Sequence, residues 1–241
     1  MRKDRVYLPL PLQSGSIVQL DERGHRHLTQ VLRKRAGDEV TLFNGDGHDY
    51  TARVTESSRR ETCVEVLASA PAAAESPLAL TLCPAIAKTD PMAYALQKAV
   101  ELGVHAIQPL YTERSQPLMQ GDRLRKRMQH WEGILISACE QCGRARIPEL
   151  FEPLALHDWL ARTDADCKPA ALAPGSTTRL KELQSSPSHL LVGPEGGFSD
   201  QEIETLTRSG CQPVSLGPRI LRTETAGVAA LAVLQGLFGD L

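Results

Sequence analysis

The spacing of apolar residues changes character along the chain. From residue 78 onward, short unbroken apolar runs alternate with stripes at intervals of three and four. Residues 78–83, 104–110, 170–173, 189–192 and 213–216 have the length and content of buried strands. Between them, Met92, Ala95, Leu96, Ala99 and Leu102 make one helical stripe, opened by Asp90-Pro91 as cap and first residue and stopped by Gly103. Leu124, Met128, Trp131, Leu135, Ala138 and Cys142 make another, in a long helix from Asp122. A short helix is expected over 178–183. Ser199 stands three residues before Glu202, which is capping-box spacing for a helix start. From Gly227 to Phe238 nearly every residue is apolar or small, which predicts a helix buried on all sides. Strands alternating with helices predict an α/β domain with a largely parallel sheet. The loops after 192 and after 216 then lie at the C-terminal ends of neighbouring strands, where open α/β sheets hold ligands.

The first 70 residues carry a shorter rhythm. Strands are expected over 5–8, 17–20, 39–43, 49–54 and 63–67, with Asn44-Gly45-Asp46-Gly47 as a turn between two of them. Residues 25–35 are helix-like, with Leu28, Val31 and Leu32 on one face and Gly37 as the stop. Short strands with one helix predict a compact β-barrel. The stretch from Ala70 to Pro77 has linker composition, so the chain divides into a domain over 1–70, a linker over 71–77 and a domain over 78–241.

Composition sharpens this picture in a few places. A chain of 241 residues with 41% hydrophobic and 23% charged residues can bury a core and is not a disordered polymer. Aromatics at 4% argue against a broad stacking platform for single-stranded nucleic acid. The net charge of −2 points to no acidic partner by itself. Basic residues are nevertheless concentrated: residues 1–60 hold eleven Lys and Arg against eight acids, and residues 112–148 hold seven against four. The opening Met1-Arg2-Lys3-Asp4-Arg5 lacks the apolar core of a signal peptide, and no apolar run approaches the ~20 residues of a membrane span. A soluble cytoplasmic protein without a membrane partner is expected. Six scattered cysteines fit reduced thiols. Cys139-x-x-Cys142 has the spacing of half a zinc site, but it falls on an apolar helix stripe with no second pair, so packing is expected and no metal.

No G-x-G-x-x-G and no G-x-x-x-x-G-K-[ST] occurs. The two loops carry a different signature: GPEGGFS-x-x-E over 193–202 and LG-x-RILRTETA over 216–226. Together they resemble the RsmE family of SPOUT RNA methyltransferases. The likeness extends along the chain. His27-x-x-x-Val31-Leu32-Arg33 with Gly37-Asp38, QKAVELGV over 97–104 followed by P-L-x-TERS over 109–115, and Glu140-Gln141-x-x-Arg144-x-x-x-Pro148 all fit the family's pattern, with Cys142 where the family commonly has serine. The resemblance implies an N-terminal PUA-like RNA-binding β-barrel and a C-terminal SPOUT α/β domain with a trefoil knot. It implies a homodimer that methylates N3 of a uridine in 16S ribosomal RNA of the small subunit, with S-adenosylmethionine as cofactor. Rival readings are a SPOUT enzyme for another RNA site, and a non-catalytic RNA-binding assembly factor.

The chemistry selects residues within that frame. Methyl transfer from a sulfonium is an in-line displacement that mainly needs positioning. Val192, Gly193, Pro194, Glu195, Gly196, Leu216, Gly217, Ile220, Leu221, Arg222, Thr223 and Ala226 are the candidate cofactor residues. Uridine N3 carries a proton at neutral pH. Either a carboxylate accepts it, with Glu224 or Glu195 as candidates, or a cation stabilises the anion, with Arg222, Arg114 or Arg144 as candidates. In the barrel, Arg5, His27, Arg33 and Arg35 are the candidate RNA-phosphate contacts.

Overall fold

Residues 4–164 and 167–241 are described by the structure, a computed structural model, and they fall into two units. The first is the chain up to Glu75 together with Ile136–Ile147; the second is Ser76–Leu135 with Pro148–Leu241. The expected boundary over 71–77 leaves 136–147 with the C-terminal part, whereas the structure places them in the first unit. The basic opening over 1–3 lies outside the described residues.

In the first unit, β1 (Arg5–Tyr7), β2 (Ile17–Gln19), β3 (Glu39–Phe43), β4 (His48–Ser57) and β5 (Thr62–Pro71) form one sheet in the order β1-β3-β4-β5-β2. Only the β1–β3 pairing is parallel. Alternate residues Val40, Leu42, Ala52, Val54, Val64 and Val66 point inward and pack with Leu28 and Leu8. The 44–47 turn works as its residues suggest. Gly45 and Gly47 take φ of 97° and 92°, and Asn44 and Asp46 side chains accept the amides two residues on. Asp46 also accepts the Tyr50 hydroxyl at 2.7 Å, which raises the phenol's pKa.

The helix expected over 25–35 begins and ends earlier. Asp21 caps α1 (Glu22–Arg26), accepting from Gly24 N at 2.7 Å, and the chain continues as a π-helix over His27–Val31. Arg33 then takes φ of 56°, closing the helical segment.

Two carboxylates explain why 136–147 belong here. Glu140, 7% exposed, accepts from Tyr7 N at 3.1 Å and from both terminal nitrogens of Arg23 at 3.0 and 2.7 Å. Glu75 accepts from Arg144 Nε and Nη2 at 3.1 and 3.0 Å and from the amides of Ala145 and Arg146.

The second unit contains, in chain order, β6 (Thr81–Pro84), α2 (Thr89–Glu101), β7 (Ala106–Ile107), β8 (Leu110–Tyr111) and α3 (Gly121–Cys142), whose last residues belong to the first unit. It continues with β9 (Glu149–Leu150), β10 (Leu154–Ala155), α4 (Leu156–Arg162), β11 (Pro169–Leu172), β12 (His189–Val192), α5 (Asp200–Arg208), β13 (Gln212–Val214) and α6 (Thr223–Phe238). Six strands make an all-parallel sheet in the order β13-β11-β12-β6-β7-β9, and β8 pairs β10 separately. The short 3-10 turn Leu180–Glu182 stands where a helix over 178–183 is expected.

Three local expectations change. The run 104–110 is two short strands, interrupted at Gln108-Pro109. Gln108 is buried and its side-chain amide donates to the carbonyls of Pro109 and Glu152. Helix α2 starts at Thr89 with Lys88 as N-cap, so Asp90 lies in the first turn, where its charge favours the dipole. Helix α6 is not buried all round: Gly227, Ala230, Leu231, Leu234 and Gln235 are inside, while Val228, Ala229, Ala232 and Val233 are half-buried and Leu237 is exposed.

Candidate active site

The parallel sheet sends β6, β11, β12 and β13 to one edge, and the segments that leave them enclose a cleft of about 700 Å³. That lies within the roughly 300–1,000 Å³ typical of small-molecule sites. Residues 192–197, residues 220–224 and Ala226 line it, joined by Lys88, Pro91, Leu172 and Pro174. Of the twelve candidate cofactor residues, Leu216 and Gly217 are absent from this lining. Ser215 beside them is engaged with Thr178 and Leu180 instead, tying the 215–217 stretch to the segment after β11. Lys88, Pro91, Leu172 and Pro174 are not among the candidate site residues that the sequence offers. Leu172 and Pro174 had a usable signal, since they end a third parallel strand at the same edge.

The glycine loop is shaped by close approaches. Gly197 takes φ of 67° and its amide reaches the Pro194 carbonyl at 2.8 Å. A Cβ on Gly193 would stand 3.0 Å from Phe198 N and 3.2 Å from Gly197 C, inside the loop's own backbone. After the loop, Ser199 Oγ accepts from Glu202 N at 3.2 Å and Glu202 Oε2 accepts from Ser199 N at 2.8 Å, a reciprocal cap that starts α5. Arg114 donates to Gly196 O at 2.8 Å, so this cation stands against the loop. Lys88 N donates to Glu195 at 3.3 Å.

The second loop offers unpaired groups. Among the described residues, the amides of Ile220, Leu221 and Arg222 have no protein acceptor. Ile220 is 87% exposed and lines the cleft, so its apolar side chain is open to a ligand there. Apolar walls with backbone donors fit a flat aromatic base attached to a polar sugar and tail. Arg222 and Glu224 both line the cleft, and among the described residues neither is ion-paired.

Two candidate residues are placed elsewhere. Arg144 belongs to the first unit, is 5% exposed and is held by Glu75, so it is not among the groups lining the cleft. Arg5 is 6% exposed, ion-pairs with Asp49 at 2.7 Å, donates to Arg144 O at 3.0 Å and stacks over Phe43. It is an interior tie and presents no face to phosphate. His27 lies in a groove of about 600 Å³ in the first unit, with Arg23, Arg26, Val31 and Ser137, while Arg33 and Arg35 are exposed. No motif in the sequence marks Arg23 or Arg26 as part of this groove.

Among the described residues, no group of three or more His, Cys, Asp or Glu side chains is arranged to hold a metal, and no helix is long and apolar enough to cross a membrane. Cys139 is fully buried, and burial pushes its thiol up to about 12, which keeps it protonated.

The parallel α/β unit with its two-loop cleft and the small β unit each match a known family. Residues 74–235 match the family model described as an RNA methyltransferase domain, and residues 20–67 match that of an RNA methyltransferase PUA domain. The ribosomal RNA small subunit methyltransferase E of Buchnera aphidicola is 36% identical over 100% of this chain and 98% of its own. A solved structure of that enzyme from Neisseria gonorrhoeae, bound to S-adenosyl methionine, is 40% identical with a TM-score of 0.94 over 99% of both chains. A putative methyltransferase from Legionella pneumophila, in complex with the same cofactor, has equal identity and TM-score over 100% of both chains. The chain belongs to the ribosomal RNA small subunit methyltransferase E family.

Proposed function

We propose that this protein methylates N3 of a uridine in 16S ribosomal RNA of the small subunit, using S-adenosylmethionine, and that it acts in the cytoplasm as a homodimer. The observation that carries this reading is the cleft itself: two loops of family signature meet at the strand ends, with Arg222 and Glu224 on its lining. The likeness to cofactor-bound relatives over whole chains supports the choice of cofactor. The trefoil threading of the C-terminal segment belongs to the same reading, and the non-sequential strand order is compatible with it.

When bound, the cofactor supplies an electrophilic methyl group on its sulfonium. The chain's residues do the remaining work. Val192, Leu172, Ile220 and Leu221 offer apolar surface to the base, and the 220–222 amides offer donors. Glu224 takes the N3 proton in this proposal. It lines the cleft, and among the described residues no donor occupies its carboxylate, whereas Glu195 already receives Lys88 N. Arg222, two residues away, stabilises the anion left on the uracil ring. Glu224→Gln is expected to lower kcat by about 10²–10⁴, the usual contribution of general base catalysis. Full turnover at saturating substrate would remove Glu224 from this role.

The overall reaction is tested by incubating the protein with methyl-labelled cofactor and small subunits from a strain lacking this gene, then digesting the RNA to nucleosides. Label in 3-methyluridine is expected. Label in another nucleoside would reassign the acceptor, and no label would support a binding role alone.

A further inference from the structure

The glycine loop is braced from outside. Glu202, in the first turn of α5, uses both carboxylate oxygens on backbone donors. Oε2 accepts from Ser199 N at 2.8 Å, which is half of the helix cap. Oε1 accepts from Glu113 N, also at 2.8 Å, in the turn that follows β8. That second bond does nothing for the start of α5. It fixes the main chain immediately before Arg114, whose Nη1 reaches Gly196 O at 2.8 Å. The Arg114 stem lies flat on the loop, for a Cβ added to Gly196 would stand 3.2 Å from its Cδ. Within the same turn, Thr112 N is held by Ser115 Oγ at 3.0 Å. Glu113 and Arg114 thus run from Glu202 to Gly196, and the chain from Gly196 back to Ser199 closes the circuit.

We propose that Glu202 is a positioning residue of the cofactor site, acting through Arg114. By anchoring Glu113 it aims the guanidinium at Gly196 O, and this sets the shape of the loop lining the cleft. The proposal rests on the cleft being the S-adenosylmethionine site. It assigns Arg114 to holding the loop rather than to the acceptor base. A carboxylate is suited to this place because it alone, among side chains of that size, accepts from two amides at once without presenting a donor.

The test is calorimetric binding of S-adenosylmethionine, without RNA, to the full-length protein and four variants. Glu202→Ala and Arg114→Ala are each expected to weaken binding about tenfold. The double variant should be within about twofold of either single one, because both substitutions break one linkage. Ser199→Ala loses only the opposite half of the cap and should bind within about twofold of the parent. Thermal melting of Ser199→Ala and Glu202→Ala should drop together, since both lose a capping bond, so affinity and fold stability separate. A Glu202→Ala protein that binds as the parent does would overturn the proposal. So would a double variant about a hundredfold weaker, or a Ser199→Ala as weak as Glu202→Ala. Absence of binding to the parent protein would remove the cofactor reading and the proposal with it.

Discussion

At the level of single residues, the physical surroundings decide what a recognisable letter does. His189 begins β12, and its ring packs edge-on to Trp159 with Nδ1 3.0 Å from Cys167 Sγ. Burial lowers its pKa below the ordinary 6.5. Between the two pKa values the unfolded chain binds a proton that the folded chain refuses, so acid favours unfolding. Stability contributed by the neutral ring is present above about pH 6.5 and declines as pH falls toward the depressed value. Urea midpoints measured from pH 7.5 to 5.5 should fall with acid, and His189→Gln should flatten that slope. An unchanged slope in the variant would assign the acid sensitivity to other groups. Arginines illustrate the limit of sequence reading at this scale. Arg222 and Arg144 both stand in family-like motifs, yet one lines the cleft and the other is buried on Glu75. Nothing in a one-dimensional pattern marks Glu75, 69 positions from Arg144, as its partner. The loops that line the cleft were legible because glycine clustering and apolar neighbours are local signals. Lys88 and Pro91 were not, because they come from a different strand end.

At the level of elements, strand and helix identities were largely legible and their edges were set by caps and packing. Strands β3 and β12 fall on the expected residues, and α5 starts where the capping box places it. Helix α6 shows what composition alone misjudges. Its twelve near-continuous apolar or small residues imply burial all round, but only one face is inside. Leu231, 1% exposed, anchors that face. Leu231→Ala should cost about 2–5 kcal/mol in urea unfolding, as large-to-small changes in packed cores do. Ala232→Ser, on the half-buried face, should cost under about 0.5 kcal/mol if that face is solvated in the monomer. If α6 is instead the seam of the proposed homodimer, the loss at 232 grows and depends on protein concentration. Light scattering distinguishes these cases directly: the expected mass is twice that of the chain, and Val233→Glu should halve it.

At the level of the whole molecule, the open question is how a chain with a net charge of −2 engages a polyanion. Local charge has to do what net charge does not. In the first unit, Arg26 and His27 line the groove over residues 21–31, and Arg33 and Arg35 are exposed just beyond the π-helix. We expect these to meet phosphate. Each phosphate contact on a single-stranded segment releases counterion, so log K falls with log salt by about 0.7 per contact. Arg26→Ala, Arg33→Ala and Arg35→Ala combined should therefore weaken RNA binding at low salt and flatten the slope by about 2. Arg5→Ala provides the contrast. Arg5 is enclosed with Asp49 and the Arg144 carbonyl, so its loss leaves a partly buried carboxylate uncompensated. Breaking such a pair costs about 3–5 kcal/mol when fully buried, and Asp49 is 26% exposed, which puts the expected loss at the lower end. Arg5→Ala should lower the unfolding midpoint and leave the salt slope of the folded protein unchanged. Filter binding between 50 and 200 mM salt, run beside urea denaturation, reads both quantities. A flattened slope in Arg5→Ala, or an unaltered one in the triple variant, would move the RNA interface away from this groove.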